Sequence, residues 1–498
     1  MKEVTRVFYI TITLVIIAVL VAALMPGAYE QVTSNITSLL STVFGWYYML
    51  IMTLILVVVG FLIISPYGNI RLGNPNDRPE FRTPTWVAML FSAGLGIGLV
   101  FYGSYEPLSH FAISPATAEP GTQAAFQESM QRTFFHYGFN AWAMYGIVAL
   151  VLAYFQFRKG ERGLISSTLR PLFGDKMNTG WGTMIDVIAI FATVFGVATS
   201  LGFGAVQING GLSFLFGISN NNWSQLIIIA IITVLFLASA WSGLSKGIKY
   251  LSNINMVLAV ILLVLVVILG PTLLILNVFT QSFGEYIQNL MSISTKTEAF
   301  SSDDRQWLDA WTIFYWAWWI SWAPFVSMFI ARVSRGRTIR EFLIFVVLLP
   351  TLLCAIWFST FGATAIDIQQ SGAVDLTAGA VETILFMVFN EMPFGFGLSV
   401  IAILLLLTFF ISSADSATFV LGMQSTNGSL TPVNSVKIVW GVLQSSIAAI
   451  LLSVGGLAAI QNTIIIAALP FSFVMILMIW SLLKSLKAEE KLYEGKKK

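Results

Sequence analysis

Charge is what this sequence has least of. Only 10% of its 498 residues are Asp, Glu, Lys or Arg, against 57% that are apolar, where a soluble domain carries about 25% charged residues. No soluble packing of that length hides so much apolar surface, because every folded surface keeps a large apolar share of its own. Cysteine is nearly missing: Cys354 stands alone, so a disulfide scaffold within the chain is excluded. Histidine is scarce too, with only His110 and His136 and no His-Glu-x-x-His, which leaves a membrane metallohydrolase without a motif. Both histidines read as loop or interface residues. A net charge of +2 excludes disorder and nucleic-acid partners. The bilayer is the solvent that remains.

What the chain does have is long apolar runs. A spanning helix needs about 20 apolar residues, and twelve runs qualify: 8–26, 42–65, 86–104, 136–156, 184–206, 223–242, 252–277, 310–332, 341–365, 393–412, 436–456 and 461–483. The first run could be a signal peptide, but it is longer than a usual apolar signal core and is kept as a span. With the N-terminus inside, all 26 Lys and Arg except Arg132, Lys296 and Arg305 fall in inside segments, which is the pattern of positive-inside topology. The fold class is therefore an all-α polytopic membrane protein of 12 transmembrane helices with both termini cytoplasmic. The stretch 279–293, with Phe279, Phe283, Tyr286, Ile287, Leu290 and Met291, is too polar to span and reads as a helix in the outer interface.

Two spans break the pattern. The third holds Gly94, Gly96 and Gly98 in mid-membrane. Helix packing on a small-xxx-small face accounts for Gly94 and Gly98 but not for Gly96. A locally unwound helix accounts for all three, and bare backbone at that depth must line a cavity or ion site. The eighth span runs Trp311-Thr-Ile-Phe-Tyr-Trp316-Ala-Trp318-Trp319-Ile-Ser-Trp322-Ala-Pro324. Pro324 is expected to break its hydrogen-bond ladder. An interfacial belt suits Trp307 and Trp311, but 311 to 322 climbs about 16 Å. The three-residue spacing of Trp316, Trp319 and Trp322 predicts one face at depth, read as a pocket wall. Several indole faces together suit a quaternary ammonium, and Tyr137, Trp142 and Tyr145 of the fourth span could face the same pocket.

The two odd spans each open a block of five, spans 3–7 and 8–12. An odd number of helices per block makes the second copy inverted, the plan of many secondary transporters. The resulting layout is 1–85 for the two N-terminal helices, 86–278 for the first repeat and 279–309 for the interfacial helix and loop. The second repeat takes 310–483, and a lysine-rich tail takes 484–498.

At these residues the chain resembles the betaine/choline/carnitine transporter family, in the run from Trp311 through Arg340 above all, with its basic tail Arg332-Val-Ser-Arg335-Gly-Arg337. The resemblance implies a fold of the LeuT type, a homotrimer in a bacterial cell membrane and no cofactor beyond a coupling ion. It implies an aromatic box of Trp318, Trp319 and Trp322 with Trp142 and Tyr145, and it puts Trp318 where spacing alone puts Trp316. Tyr137 stands where sodium-coupled betaine carriers often have tryptophan. One sodium site would take carbonyls of Ser92, Leu95 and Phe409 with the hydroxyls of Ser412 and Ser413. A second would use Phe325 and Thr193, although Val197 stands where another hydroxyl is expected.

The residues themselves bear on coupling. Every basic residue lies at or beyond a span end, so no fixed cation replaces sodium in mid-membrane, where a charge is costly unless it functions. The carboxylates nearest to membrane depth are Asp186 and Asp415, poor material for a proton relay. The function expected is sodium symport of a quaternary-ammonium compatible solute, glycine betaine, for osmoprotection. A sodium-independent exchanger and a proton-coupled choline or carnitine carrier are the alternatives. Choline would want a negative group near the box, and the glycine run offers none. A carboxylate on the substrate could instead meet backbone N–H groups of the unwound third span.

Overall fold

A computed structural model of the chain describes residues 4–94, 96–242, 244–429 and 431–495. Its regular structure among those residues is helical, with one isolated bridge between Arg71 and Thr338. The chain opens with α1 (Arg6–Leu24), α2 (Pro26–Ile64), α3 (Thr83–Gly94), α4 (Ile97–Leu108), α5 (Gln123–Tyr137), α6 (Phe139–Ala153) and α7 (Gly180–Phe216). It continues through α8 (Asn222–Ser242), α9 (Leu244–Leu269), α10 (Thr272–Thr295), α11 (Phe314–Val333), α12 (Ile339–Ser371), α13 (Gly395–Ser425) and α14 (Asn434–Gly495).

By length and composition, 10 helices among the described residues can cross a membrane, and the difference from the twelve predicted runs has two local causes. The third run falls on α3 and α4, each too short to span alone. The eleventh and twelfth fall on the two arms of α14, which is interrupted by non-helical backbone at Gly455 and Gly456, the latter at φ +61°. The partners of the arms show that the chain reverses there. Lys437 bonds Ala240 at the end of α8, and Ser453 meets Asn222 at its start. Past the glycines the direction flips: Thr463 meets Tyr29, Ser472 meets Tyr47 and Glu489 meets Arg158. Glycine is suited to this turn because L residues rarely adopt that φ.

Three other expectations shift. Helix α10 starts at Thr272, just after the Gly270–Pro271 pair that ends α9, so the predicted interfacial segment begins earlier than 279. Helix α11 runs unbroken through Pro324; one missing N–H donor is tolerated where neighbouring helices pack around it. The expected break there is corrected. The irregular turn lies before it, a π-helical stretch at Asp309–Ile313. The third span is interrupted as expected: α3 ends at Gly94, Gly96 is extended at φ −146° and α4 begins at Ile97.

The segments predicted to lie inside gather at one end of the molecule. Thr5 bonds the Ser425 carbonyl, Arg337 bonds Phe81 and Thr83, and Arg340 bonds Ile63 and Ser65. Arg158 bonds Gly73 and pairs with Glu489, which also pairs with Lys159. Two of the three cations assigned outside meet elsewhere, where Arg132 and Lys296 share Glu298 at 3.7 and 2.9 Å. Helices α6, α7 and α11 are buried nearly all round, whereas α1, α8 and α9 leave broad apolar faces exposed. An apolar helix with an exposed apolar face belongs against lipid, so the chain is a multi-pass membrane protein with α6, α7 and α11 at its centre.

Candidate functional site: an aromatic cavity at the helix break

The interruption of the third span meets helix α11 face on. A Cβ added to Gly98 would lie 2.6 Å from the Trp318 ring, and one added to Gly96 would lie 3.6 Å from Trp322. The glycine at 98 therefore lets a rigid indole lie directly against the backbone. Gly94 and Ser92 end the preceding helix, and Leu95 lies outside the described residues.

Around this junction a cavity is lined by Gly96, Gly98, Leu99, Tyr137, Ala141, Trp142, Tyr145, Ser200, Trp318, Trp319, Trp322 and Cys354. The structure thus brings together all six aromatic residues expected there. Trp316, expected on the same face by its spacing, is not among them. Its ring packs on Phe135 at 5.0 Å, and its indole N–H reaches the sulfur of Met49. The reason is angular: at about 100° per residue, 318, 319 and 322 share a 100° arc, while 316 points about 160° from 318.

The rings are held in place by their N–H groups. Trp319 donates to the His136 carbonyl at 2.8 Å, Trp322 to Gly196 at 2.7 Å and Trp142 to Tyr137 at 3.0 Å. Each bond ties an indole to backbone of another helix or to the α5–α6 junction, which fixes the direction of its face. Trp318 and Trp319 stack at 4.9 Å and 9°, and Trp142 meets Tyr145 edge to face at 5.7 Å. Tyr137 joins the lining and its hydroxyl pairs with Tyr315 at 3.2 Å.

Three polar atoms on the same lining have no partner: Trp318 Nε1, the Tyr145 hydroxyl and the Ser200 hydroxyl. Buried polar groups are rarely left so, and three around one cavity mark a place that receives hydrogen-bond acceptors. Ser200 and Cys354 were not picked out from the sequence; a serine and a cysteine in apolar spans carry no pattern of their own. The cavity itself is small, about 30 Å³, enough for a water molecule or two. A larger guest needs the stacked indoles to part.

Of the residues expected to hold sodium, the α13 run lies next to this junction. Gly204 of α7 is wedged between Ile97 and Phe410, which brings the α13 run from Phe409 to Ser413 beside the start of α4. Ser412 donates to the Phe409 carbonyl at 3.2 Å and accepts from Asn255 at 2.8 Å. Ser413 is half-buried one residue on. Thr193 bonds back to Ala189 within its helix at 2.8 Å, and Phe325 packs against Trp322 at 5.6 Å. Ser412 and Thr193 thus have helix-internal partners.

A second buried cluster adjoins the cavity. Glu106, His110 and His136 are all fully buried, so the histidines face the protein interior. Glu106 is thus a third carboxylate at depth beside Asp186 and Asp415. His136 Nδ1 lies 2.6 Å from Glu106 Oε1, His136 Nε2 lies 3.0 Å from the Thr312 hydroxyl, and Tyr315 donates a short bond to the other carboxylate oxygen. Both ring nitrogens of His110 lack a hydrogen-bond partner.

The model of the betaine/carnitine/choline family transporters matches residues 6–491. The glycine betaine transporter OpuD of Bacillus subtilis is 55% identical over 99% of this chain and 96% of its own. An ectoine/hydroxyectoine transporter of Virgibacillus pantothenticus is 40% identical over 99% of this chain and 98% of its own. A solved structure of a Na+-coupled sialic acid symporter in a substrate-bound outward-open state aligns over 88% of this chain and 86% of its own. Its identity is 16% and its TM-score 0.48, a likeness that says nothing of the site or of the coupling ion.

Proposed function

Because the chain belongs to the betaine/carnitine/choline transporter family, we propose that it imports glycine betaine by sodium symport as a compatible solute. The observation that carries this reading is the aromatic cavity, where Trp318, Trp319, Trp322, Trp142 and Tyr145 share a lining with three unpartnered polar atoms. Aromatic faces attract a trimethylammonium through their negative π-clouds, each worth about 0.5–2 kcal/mol. Trp318 Nε1 and the hydroxyls of Tyr145 and Ser200 suit the carboxylate at the other end of a zwitterion. Choline, with no carboxylate, would leave them unmatched, and unmatched buried donors cost affinity.

Alternating access in this reading is a parting and closing of α4 and α11 around the junction. The contracted cavity is its closed form, and the rings must separate before the headgroup enters. Sodium is carried as a co-substrate where α13 runs beside the start of α4, with Phe409, Ser412 and Ser413 and backbone of Ser92 and Leu95 as its oxygens. Phe325 and Thr193 are the candidates for a second ion. Ser412 and Thr193 must then exchange their helix-internal bonds for the ion. In this reading the chain is a homotrimer in a bacterial cell membrane with both termini cytoplasmic, and the gathering of basic residues at one end supports that orientation.

Uptake of labelled glycine betaine into proteoliposomes tests the proposal. An inward sodium gradient should drive accumulation where potassium and proton gradients do not. Uptake that needs internal substrate and ignores sodium would make the protein an exchanger and remove the ion sites. No uptake of glycine betaine, with uptake of ectoine, would move the substrate to that of the second relative.

A further inference from the structure

We propose that Glu106, His110 and His136 form a binding site for a zinc-class divalent cation, and that its occupancy clamps the transporter and inhibits uptake. One ligand atom from each of the three side chains lies within 4.8 Å of the other two. The Glu106 carboxylate is 2.6 Å from His136 Nδ1 and 3.4 Å from His110 Nε2. Around a zinc ion with bonds of about 2.0–2.1 Å, tetrahedral ligand atoms stand about 3.3 Å apart. The His110 arm already has that spacing, and the His136 arm needs to open by a fraction of an ångström.

The surroundings are those of a ligand set. A histidine that binds metal through one nitrogen is oriented by a hydrogen bond at the other, and His136 has the Thr312 hydroxyl on Nε2 at 3.0 Å. The Glu106 carboxylate has the same support, since Tyr315 holds its second oxygen. His110 provides the independent sign. It is fully buried, packed against Trp307 and Trp311 at 5.0 and 4.5 Å, and neither ring nitrogen has a hydrogen-bond partner, Nε2 facing Glu106 at 3.4 Å. An internal hydrogen-bond network between Glu106 and His136 leaves His110 unexplained, whereas a cation shared by all three uses its free lone pair. Two imidazoles and one carboxylate suit zinc and its late first-row neighbours, not calcium or magnesium.

The nearest fixed cation repels a second positive charge here, but its own charge is partly offset by carboxylates. Arg132 lies over Trp307, 5.0 Å from its ring centre, and shares its charge with Glu128 and Glu298. His110 is three residues from Ile113, which is exposed. This end of α4 is opposite the basic end, because α3 starts at Thr83, held by Arg337. The inhibition follows from what the ligands join. Glu106 is on α4, His110 on the turn after it and His136 on α5, while Thr312 and Tyr315 at the head of α11 back them up. A metal tying α4 to α5 restrains the parting of α4 from α11 that substrate entry needs; that consequence rests on the transport reading, but the binding does not.

Zinc titration of the purified, chelator-treated protein by calorimetry, beside His110→Ala and Glu106→Gln, tests the binding. One zinc per chain is expected, weakened at least tenfold in both variants. Cobalt is expected to give visible bands of a four-coordinate N/O site in the wild type only. No stoichiometric binding, or equal binding in His110→Ala, would overturn the site. His110→Ala leaves a gap beside Trp307 and Trp311, so the zinc response of each protein is read as the ratio of its uptake with and without zinc, which a smaller folded fraction does not change. Micromolar zinc should then inhibit wild-type uptake into proteoliposomes at least fivefold and spare His110→Ala. Binding without inhibition would keep the site and overturn the clamp.

Discussion

Two buried clusters lie side by side where α4, α5, α6 and α11 meet, and they are built on opposite principles. The aromatic cavity fixes its rings through bonds to backbone and leaves Trp318 Nε1, Tyr145 and Ser200 open at its lining. The Glu106–His136 cluster closes on itself, with Tyr315 and Thr312 satisfying its outer atoms and His110 alone left over. Tyr315 and Tyr137 connect the two. Rigid faces with unmatched donors make a receiver; a network that consumes its own polar atoms makes a joint. The first should respond to mutation in affinity, the second in stability.

The sharpest way to break that contrast is within one helix. Trp322→Ala removes a cavity wall and is expected to abolish measurable uptake, with Trp319→Ala close behind, each with at least a tenfold rise in KM where uptake can still be followed. Trp316→Ala, on the far side of the helix, is expected to cost about 3–5 kcal/mol of stability as a large-to-small core change while KM per folded molecule stays within twofold. A thermal melt and a KM for each variant decide it. Equal KM effects at 316 and 322 would mean that the face is wrongly assigned.

Coupling comes next in size. Ser413→Ala is expected to raise the sodium concentration for half-maximal uptake about tenfold, equivalent to about 1.4 kcal/mol, with substrate affinity at saturating sodium unchanged. An unaltered sodium response would move the ion elsewhere. The smallest effect belongs to the joint. Thr312→Val removes the hydroxyl at His136 Nε2 and is expected to cost about 1 kcal/mol, read as a lower denaturation midpoint, with KM unchanged.

The two clusters also differ in how far they can be read from sequence. The aromatic wall was legible because five tryptophans crowd into twelve residues of one apolar run, and few packings other than a pocket justify so many. Its orientation was not, because spacing gives a helical face and not which face is wet; Trp316 and Trp318 were separated by the resemblance, and the fold agrees on which one reaches the cavity. The helix break was legible from Gly96, which packing on a small face leaves without a use. The polar joint was not legible, because Glu106, His110, His136, Thr312 and Tyr315 come from three places in the chain and each is ordinary where it stands. The reversal at Gly455–Gly456 shows the reverse case: two spans were evident from hydropathy although the backbone is helical almost throughout.

The most direct test of the cavity uses a residue it already contains. Cys354 is the one cysteine in the chain and lines the same cavity as the tryptophans, so a methanethiosulfonate carrying a trimethylammonium group reports on that space alone. The measurement is its rate of modification, followed by mass spectrometry, with and without glycine betaine. Modification slowed saturably by glycine betaine in the wild type, with that protection lost in Trp322→Ala, is the expected result. A modification rate that saturating glycine betaine leaves unchanged would contradict the claim that this cavity opens to receive a trimethylammonium.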